Sequence, residues 1–483
     1  MKMTTTLAPG LEISRIVTGL WQIADMERDG STLDPKTTSK FMEAYALEGF
    51  TSFDMADHYG SSEIIAGTFK NNYEHGSQIR LFTKWVPEPG KINRSEVRKA
   101  IELALTRMQQ DSVDLMQFHA WHYPDPSWLD GLFYLKELQE EGLIKHLGVT
   151  NFDSAHLRIA LASGIPIVSN QVCHSVIDQR ANGKMLDVCK KYGVKILAFG
   201  TLAGGFLTDR WLGVKEPTQD ELKTWSQMKY KRFIDASGGW EPYQNLLSVL
   251  RKVADKHSVS IANIASRYIL ENDAVAGVII GARLGASEHI TDNKKILSID
   301  LDTIDIEAIK GAQNMLKPIH GDCGDEYRKP PFLTASGDLS HHLKTIPQTF
   351  TPVKSRTNRE QVFSGTVWEE FAGYCRAVKD GNRIHVSGTT ATHGEEMIGG
   401  TDAAAQTHFV IDKIEAAIES LGGSLADVVR TRIFVNDLKD WEVVARAHGE
   451  RFAGINPANT LVEARLVGEG YLVEIEAEAV TPA

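Results

Sequence analysis

An α/β fold is predicted, a (β/α)8 TIM barrel followed by a small α+β domain, and three observations predict it. From Leu11 to about residue 300, eight short apolar runs alternate with longer amphipathic ones. Several of those runs are nearly continuously apolar, as strands buried on both faces of a parallel sheet are. Near residue 360 both composition and pattern change: residues 361–483 hold 19 acidic against 10 basic side chains, so they carry -9 of the chain's net charge of -11.

The strand candidates are Arg15–Gly19, Thr51–Ala56, Ile79–Lys84, Asp114–Phe118, His146–Thr150, Val168–Val172, Lys195–Phe199 and Ala276–Gly281. Helical periodicity fills the gaps at Ser95–Met108, Trp128–Glu141 and Ile261–Leu270. The last gap between strands is longer and predicts a lid around 206–245. A doubly wound open sheet is the alternative, but no GxGxxG follows the first strand. Residues 316–360 read as a linker rich in Pro, Gly, Ser and Thr. Its His320, Cys323, His341 and His342 match no usual metal-ligand spacing, so no metal is expected. Beyond 361, Arg383–Gly388, Val428–Asn436 and Leu472–Ala479 read as strands, and Asp402–Leu421 and Asp440–Phe452 as helices. The expected domains are therefore 1–315, the linker 316–360, and 361–483.

The 483 residues suit two or three domains, and a pI near 5.8 argues against nucleic-acid or anionic-membrane partners. Four scattered cysteines without a CxxC pair fit reduced thiols, and no apolar run is long enough to span a bilayer. A cytoplasmic location is expected.

Three strands end in chemistry. Asp54 closes the second, with Tyr59 five residues on; Lys84 closes the third, and His119 follows the fourth. On neighbouring parallel strands these groups share one cleft, at the strand C-terminal ends where such barrels act. There a phenol whose pKa is lowered by a lysine, itself held by an aspartate, can protonate a carbonyl oxygen. Hydride transfer to the carbonyl carbon, with His119 directing the carbonyl, completes the reading.

Phe53-Asp-Met-Ala-Asp-His-Tyr-Gly, Thr83-Lys84 and Asp114-Leu-Met-Gln-Phe-His119 resemble the aldo-keto reductases. So do Gly148-Val-Thr-Asn-Phe, Asn170-Gln171-Val, Val278-Ile-Ile-Gly281-Ala-Arg283 and Asp292-Asn293, all in the family's order. The resemblance implies NADPH as cofactor, with NADH as the alternative. It implies that Thr150, Asn151 and Gln171 hold the nicotinamide carboxamide, and that Gly281, Arg283 and Asn293 line the adenosine and phosphate end. Trp21 and Trp121 would face the substrate. Phe199-Gly-Thr-Leu replaces the family's Tyr-Ser-Pro-Leu, keeping an aromatic ring for stacking. His289 stands where many members have Gln.

The tail, roughly 365–481, resembles the Rid (YjgF-like) reactive-intermediate deaminases through Gly373-Tyr374, Val386-Ser387-Gly388, Thr431-Arg-Ile-Phe-Val-Asn-Asp-Leu and Pro457-Ala to Val473-Glu474-Ile-Glu-Ala. That resemblance implies a chorismate-mutase-like fold, a homotrimer, and a ligand site built from Tyr374, Ser387, Asn459 and Glu474. Deaminating members carry an arginine where Asn459 stands, and an amide lacks its charge-assisted grip on a carboxylate. The expected protein is a carbonyl reductase fused to an oligomerising or small-molecule-binding module. Two alternatives stand beside it: an NADPH-sensing subunit without turnover, and a bifunctional reductase and imine deaminase.

Overall fold

The computed structural model describes residues 1–24 and 32–482. Strands β3 (Ile16–Gly19), β4 (Ser52–Asp54), β5 (Arg80–Trp85), β6 (Leu115–Phe118), β7 (Leu147–Thr150), β8 (Ile167–Cys173), β9 (Lys195–Phe199) and β10 (Val275–Gly281) close a parallel barrel, β10 pairing with β3. Each of the eight expected strands is present, shifted by no more than two residues at either end. Before them the hairpin β1 (Thr4–Ala8) and β2 (Leu11–Ser14) packs Leu7, Leu11 and Ile13 against Val17, Phe82, Leu115 and Ala276. The hairpin thus seals the end where the strands begin and leaves the opposite end open for side chains that do chemistry.

Helices Arg94–Met108 and Ser127–Glu140 lie where the periodicity placed them, and Asn93 caps the first through Glu96 N–H. The segment expected as a lid is partly helical: Trp225–Ala236 and the start of Trp240–His257 turn Tyr230, Phe233, Ile234 and Tyr243 into a second core. The linker is not a free tether. Its residues 320–343 fold onto the barrel mouth, where Arg180 pairs with Glu326 at 2.9 Å and Asp322 accepts from the Ser154 amide. Gly324 permits that approach: with φ 79°, a Cβ there would stand 1.9 Å from the Asn151 carbonyl oxygen.

The C-terminal module is a mixed sheet built of β11 (Val353–Lys354), β12 (Glu360–Val362), β13 (Ala377–Asp380), β14 (Arg383–Thr390), β17 (Val428–Val435), β18 (Ala458–Glu463) and β19 (Val473–Val480); β15 (Thr392–His393) and β16 (Glu396–Met397) form a small separate hairpin. Its order is β11-β12-β13-β14-β19-β17-β18, and only the β17–β18 pair is parallel. Helices Ala403–Ser420 and Trp441–Arg451 cover one face. Helix Ala403–Ser420 is buried almost all round because it lies between its own sheet and barrel helix Ser154–Ala162. Among the described residues no helix is long and apolar enough to cross a membrane.

Candidate active site

β4, β5 and β6 are neighbours in the barrel, so Asp54, Lys84 and His119 reach one mouth. The Lys84 ammonium donates to Asp54 Oδ2 at 2.6 Å and to the Met55 carbonyl at 2.7 Å, and both charged residues are buried. Tyr59 sits on a turn three residues before helix Ser62–Asn72, and the ammonium lies 5.3 Å from its ring centroid. Trp21 packs edge-on to the same ring at 5.0 Å and donates from its indole to Ser226 Oγ at 3.2 Å.

Two amides complete the floor. Gln117 and Gln171 donate to Asp54 Oδ1 at 3.0 and 2.8 Å, and Gln171 also donates to Gln117 at 2.9 Å. Asp54 is therefore fixed by three donors, and through it Lys84 is fixed. Both hydrogens of the Gln171 amide are spent on these bonds, which leaves its carbonyl oxygen for a ligand.

His119 is buried, with Nδ1 3.3 Å from the Thr150 carbonyl oxygen. Burial, with the Arg328 guanidinium second, holds its imidazole well below the usual histidine range. The ring is thus neutral, and the proton belongs on Nδ1, where only a carbonyl acceptor is met. Nε2 is then an acceptor, buried and without a partner among the described residues. In that tautomer Nε2 offers no N–H to a carbonyl oxygen, and the direct donor there is the phenol O–H of Tyr59.

Thr150 ends β7 and donates to the Gln171 carbonyl; Asn151 follows in the left-handed region at φ 58°. Asn151 Oδ1 is buried without a partner among the described residues. A nicotinamide carboxamide would supply the missing N–H, and Phe199 at the end of β9 supplies a ring, so the residues fit that cofactor. Gly281 ends β10, where a Cβ would come within 2.0 Å of Gln22 Oε1; Arg283 is exposed, and Asn293 lies on helix Ile290–Lys295.

Several mouth residues escape sequence reasoning. Trp121 packs against His119 at 4.3 Å, and Tyr327 and His342 of the linker join it, 6.0 Å from His119 and 5.2 Å from Trp121 respectively. Lys229 donates to the Tyr327 hydroxyl and lies 5.1 Å from the Phe199 ring centroid. Nothing local marks it, since its helix also carries Lys231 and Arg232.

In the C-terminal module Tyr374, Ser387 and Glu474 gather round Arg376. That guanidinium donates to the Tyr374 hydroxyl at 3.3 Å and to the Gly388 carbonyl at 2.8 Å, and Ser387 Oγ donates to Cys375. Glu474 Oε1 lies where a Gly388 side chain would be, and burial raises its carboxyl although Arg376 opposes that. Buried Lys413 beneath them is brought down to about 7 by burial and by Arg376. Asn459 is elsewhere in the chain: it donates to Thr431 Oγ1 at 2.9 Å, which bonds His448 Nε2, beside a groove of about 280 Å³.

Residues 15–314 match the family model described as "Aldo/keto reductase family", and residues 368–481 match the one described as "Endoribonuclease L-PSP", a Rid/YjgF-type domain. The chain is 27% identical over 347 residues to "Aldo-keto reductase YhdN" of Bacillus subtilis, covering 68% of this chain and 98% of that one. It is 24% identical over 320 residues to the "NADH-specific methylglyoxal reductase" of Escherichia coli, covering 61% and 93%. Among solved structures, the glycerol dehydrogenase of Gluconobacter oxydans overlays with a TM-score of 0.55 at 22% identity, covering 66% of this chain and 98% of that one, a likeness of fold.

Proposed function

The chain belongs to the aldo/keto reductase family, and on that premise we propose that its barrel reduces an aldehyde or ketone with NADPH. The observation that carries this reading is the Asp54–Lys84–Tyr59 arrangement, a fixed buried ammonium beside a phenol at the open end of the barrel. A bound nicotinamide supplies hydride to the carbonyl carbon. Tyr59 gives its proton to the carbonyl oxygen as negative charge develops there. Lys84 stabilises the phenolate that remains, and Asp54 keeps the ammonium in place. His119 Nε2 accepts from the alcohol so formed. Asn151 Oδ1, Thr150 and the Gln171 side-chain oxygen are the groups to orient the carboxamide, Phe199 the ring to stack on it, and Trp21 and Trp121 the walls against the substrate.

The reading takes NADPH over NADH on the strength of Arg283, an exposed guanidinium beyond β10 whose chemistry suits a 2′-phosphate. With Gly281 and Asn293 it marks the adenosine end. The C-terminal module is read as a trimerising, small-molecule-binding unit around Tyr374, Ser387 and Glu474. Its lack of an arginine at Asn459 speaks against 2-imino-acid deamination. A cytoplasmic setting fits the four free cysteines.

Tyr59→Phe is expected to lower kcat for 4-nitrobenzaldehyde reduction by about 10²- to 10⁴-fold while NADPH still binds, measured by loss of reduced-nicotinamide absorbance. A second reading, nucleotide sensing without turnover, is favoured by Tyr327 packing against His119 and His342 against Trp121. Wild-type protein that binds NADPH and turns over no carbonyl compound would establish that second reading.

A further inference from the structure

An unbroken series of contacts ties the barrel mouth to the C-terminal module. Asp412, buried on helix Ala403–Ser420, accepts from Arg451 and lies 3.0 Å from His156 Nε2. His156, on barrel helix Ser154–Ala162, meets Asp153 through Nδ1 at 2.6 Å. With a carboxylate at each nitrogen the ring is an imidazolium. It stacks on Tyr123 with centroids 3.5 Å apart and planes 4° from parallel. The Arg328 guanidinium lies over the same ring at 4.4 Å.

Arg328 then donates to the Ala120 carbonyl at 2.6 and 2.9 Å and to the Asn151 carbonyl at 2.7 Å. Ala120 follows His119, and Asn151 carries the unpartnered Oδ1. These carbonyls extend from adjacent strands, β6 and β7. A planar fork held to both fixes their separation, which a lysine in its place would not do. No carboxylate pairs with Arg328 among the described residues, so the two carbonyls and the Tyr123 ring are what hold it.

Resting on the reductase reading above, we propose that Arg328 is a positioning residue for the barrel's chemistry and that Asp412 of the appended module seats it through His156 and Tyr123. The module thereby sets the geometry of His119 and of the carboxamide shelf without touching substrate. Each link is a directed contact between buried or half-buried groups, where ionic and cation–π contacts are least screened.

A double-mutant cycle on the full-length chain tests it, because contact alone does not demonstrate coupling. The variants are Arg328→Met, Asp412→Asn, both together, and Asp402→Asn. Asp402 also joins the two modules, accepting from Arg158, Lys191 and Tyr192, but has no contact with Tyr123. The readouts are the NADPH dissociation constant from tryptophan fluorescence without carbonyl compound, and kcat/KM with 4-nitrobenzaldehyde. Arg328→Met and Asp412→Asn are each expected to lose about ten-fold in one or both, and the double variant no more than Arg328→Met alone. Asp402→Asn is expected to lower the melting temperature while leaving both readouts within about two-fold of wild type.

Independent, multiplying losses overturn the proposal, as does Asp412→Asn that behaves as wild type or Asp402→Asn that reproduces its losses. Should Asp412→Asn fail to fold, Tyr123→Leu breaks the series inside the barrel and is expected to match Arg328→Met. Wild-type protein that binds NADPH without turnover sinks the reductase reading alone, since the binding cycle still decides the linkage. Wild-type protein that binds no NADPH sinks both.

Discussion

Gln117 shows how much of the mouth depends on groups that never meet substrate. It is buried in the middle of β6, donates to Asp54 and accepts from Gln171. Gln117→Leu removes a donor from a buried carboxylate and an acceptor from a buried amide. The expected cost is about 1–3 kcal/mol, read as a lower urea midpoint, with a fall in kcat as Lys84 loses its fixed partner. A midpoint equal to wild type would contradict the network. Asp54, Lys84 and His119 were legible in the sequence because each stands at the end of an apolar run, where a polar side chain has to face the mouth. Lys229, Tyr327 and Arg328 were not: they lie in stretches whose positions are decided by long-range docking rather than by any local period. His119 was legible in place but not in role, since its tautomer depends on the Thr150 carbonyl 3.3 Å away.

At the scale of elements, the contact between helices Ser154–Ala162 and Ala403–Ser420 is built from titrating groups. Burial by itself would lower His156, but Asp153 and Asp412 more than reverse this and raise it above its ordinary 6.5. Arg451 and the carboxyl of Glu415 face the same site, and His408 is pushed down to about 3, chiefly by burial, and is neutral. A raised histidine contributes its full stabilisation below the unfolded value and loses it as pH climbs through the folded one. The thermal midpoint of the docked modules is thus expected to fall as pH rises from about 6.5, and that of His156→Gln to stay flat by comparison. Equal pH slopes for the two proteins would refute this. The barrel strands were readable from apolar runs, and helices Arg94–Met108, Ser127–Glu140, Ile261–Leu270, Ala403–Ser420 and Trp441–Arg451 from 3.6-residue periodicity. Strand β18 was not, because as an exposed edge strand it carries no burial pattern, and the hairpin β1–β2 was not, because its apolar residues precede the first repeat.

For the whole molecule, the module's helices cover only one face of its sheet. On the other, Glu474, Glu476 and Glu478 alternate with buried Val473, Ile475 and Ala477, and Arg432 pairs with Glu476. Nearby Phe371 is 83% exposed and Trp368 51%. Surface of this kind fits burial against further copies of the chain. Light scattering at micromolar concentration is expected to give the mass of a trimer, and a monomer would remove that reading. The break in charge near residue 360 announced the second module in the sequence, but not the way the linker folds back over the first. That fold-back has a consequence for synthesis. The barrel leaves the ribosome before Arg328 and well before Asp412, so a nascent or prematurely terminated chain carries eight finished strands and an untied mouth. Only translation through the last helix, Trp441–Arg451, brings in Arg451, the residue that braces Asp412.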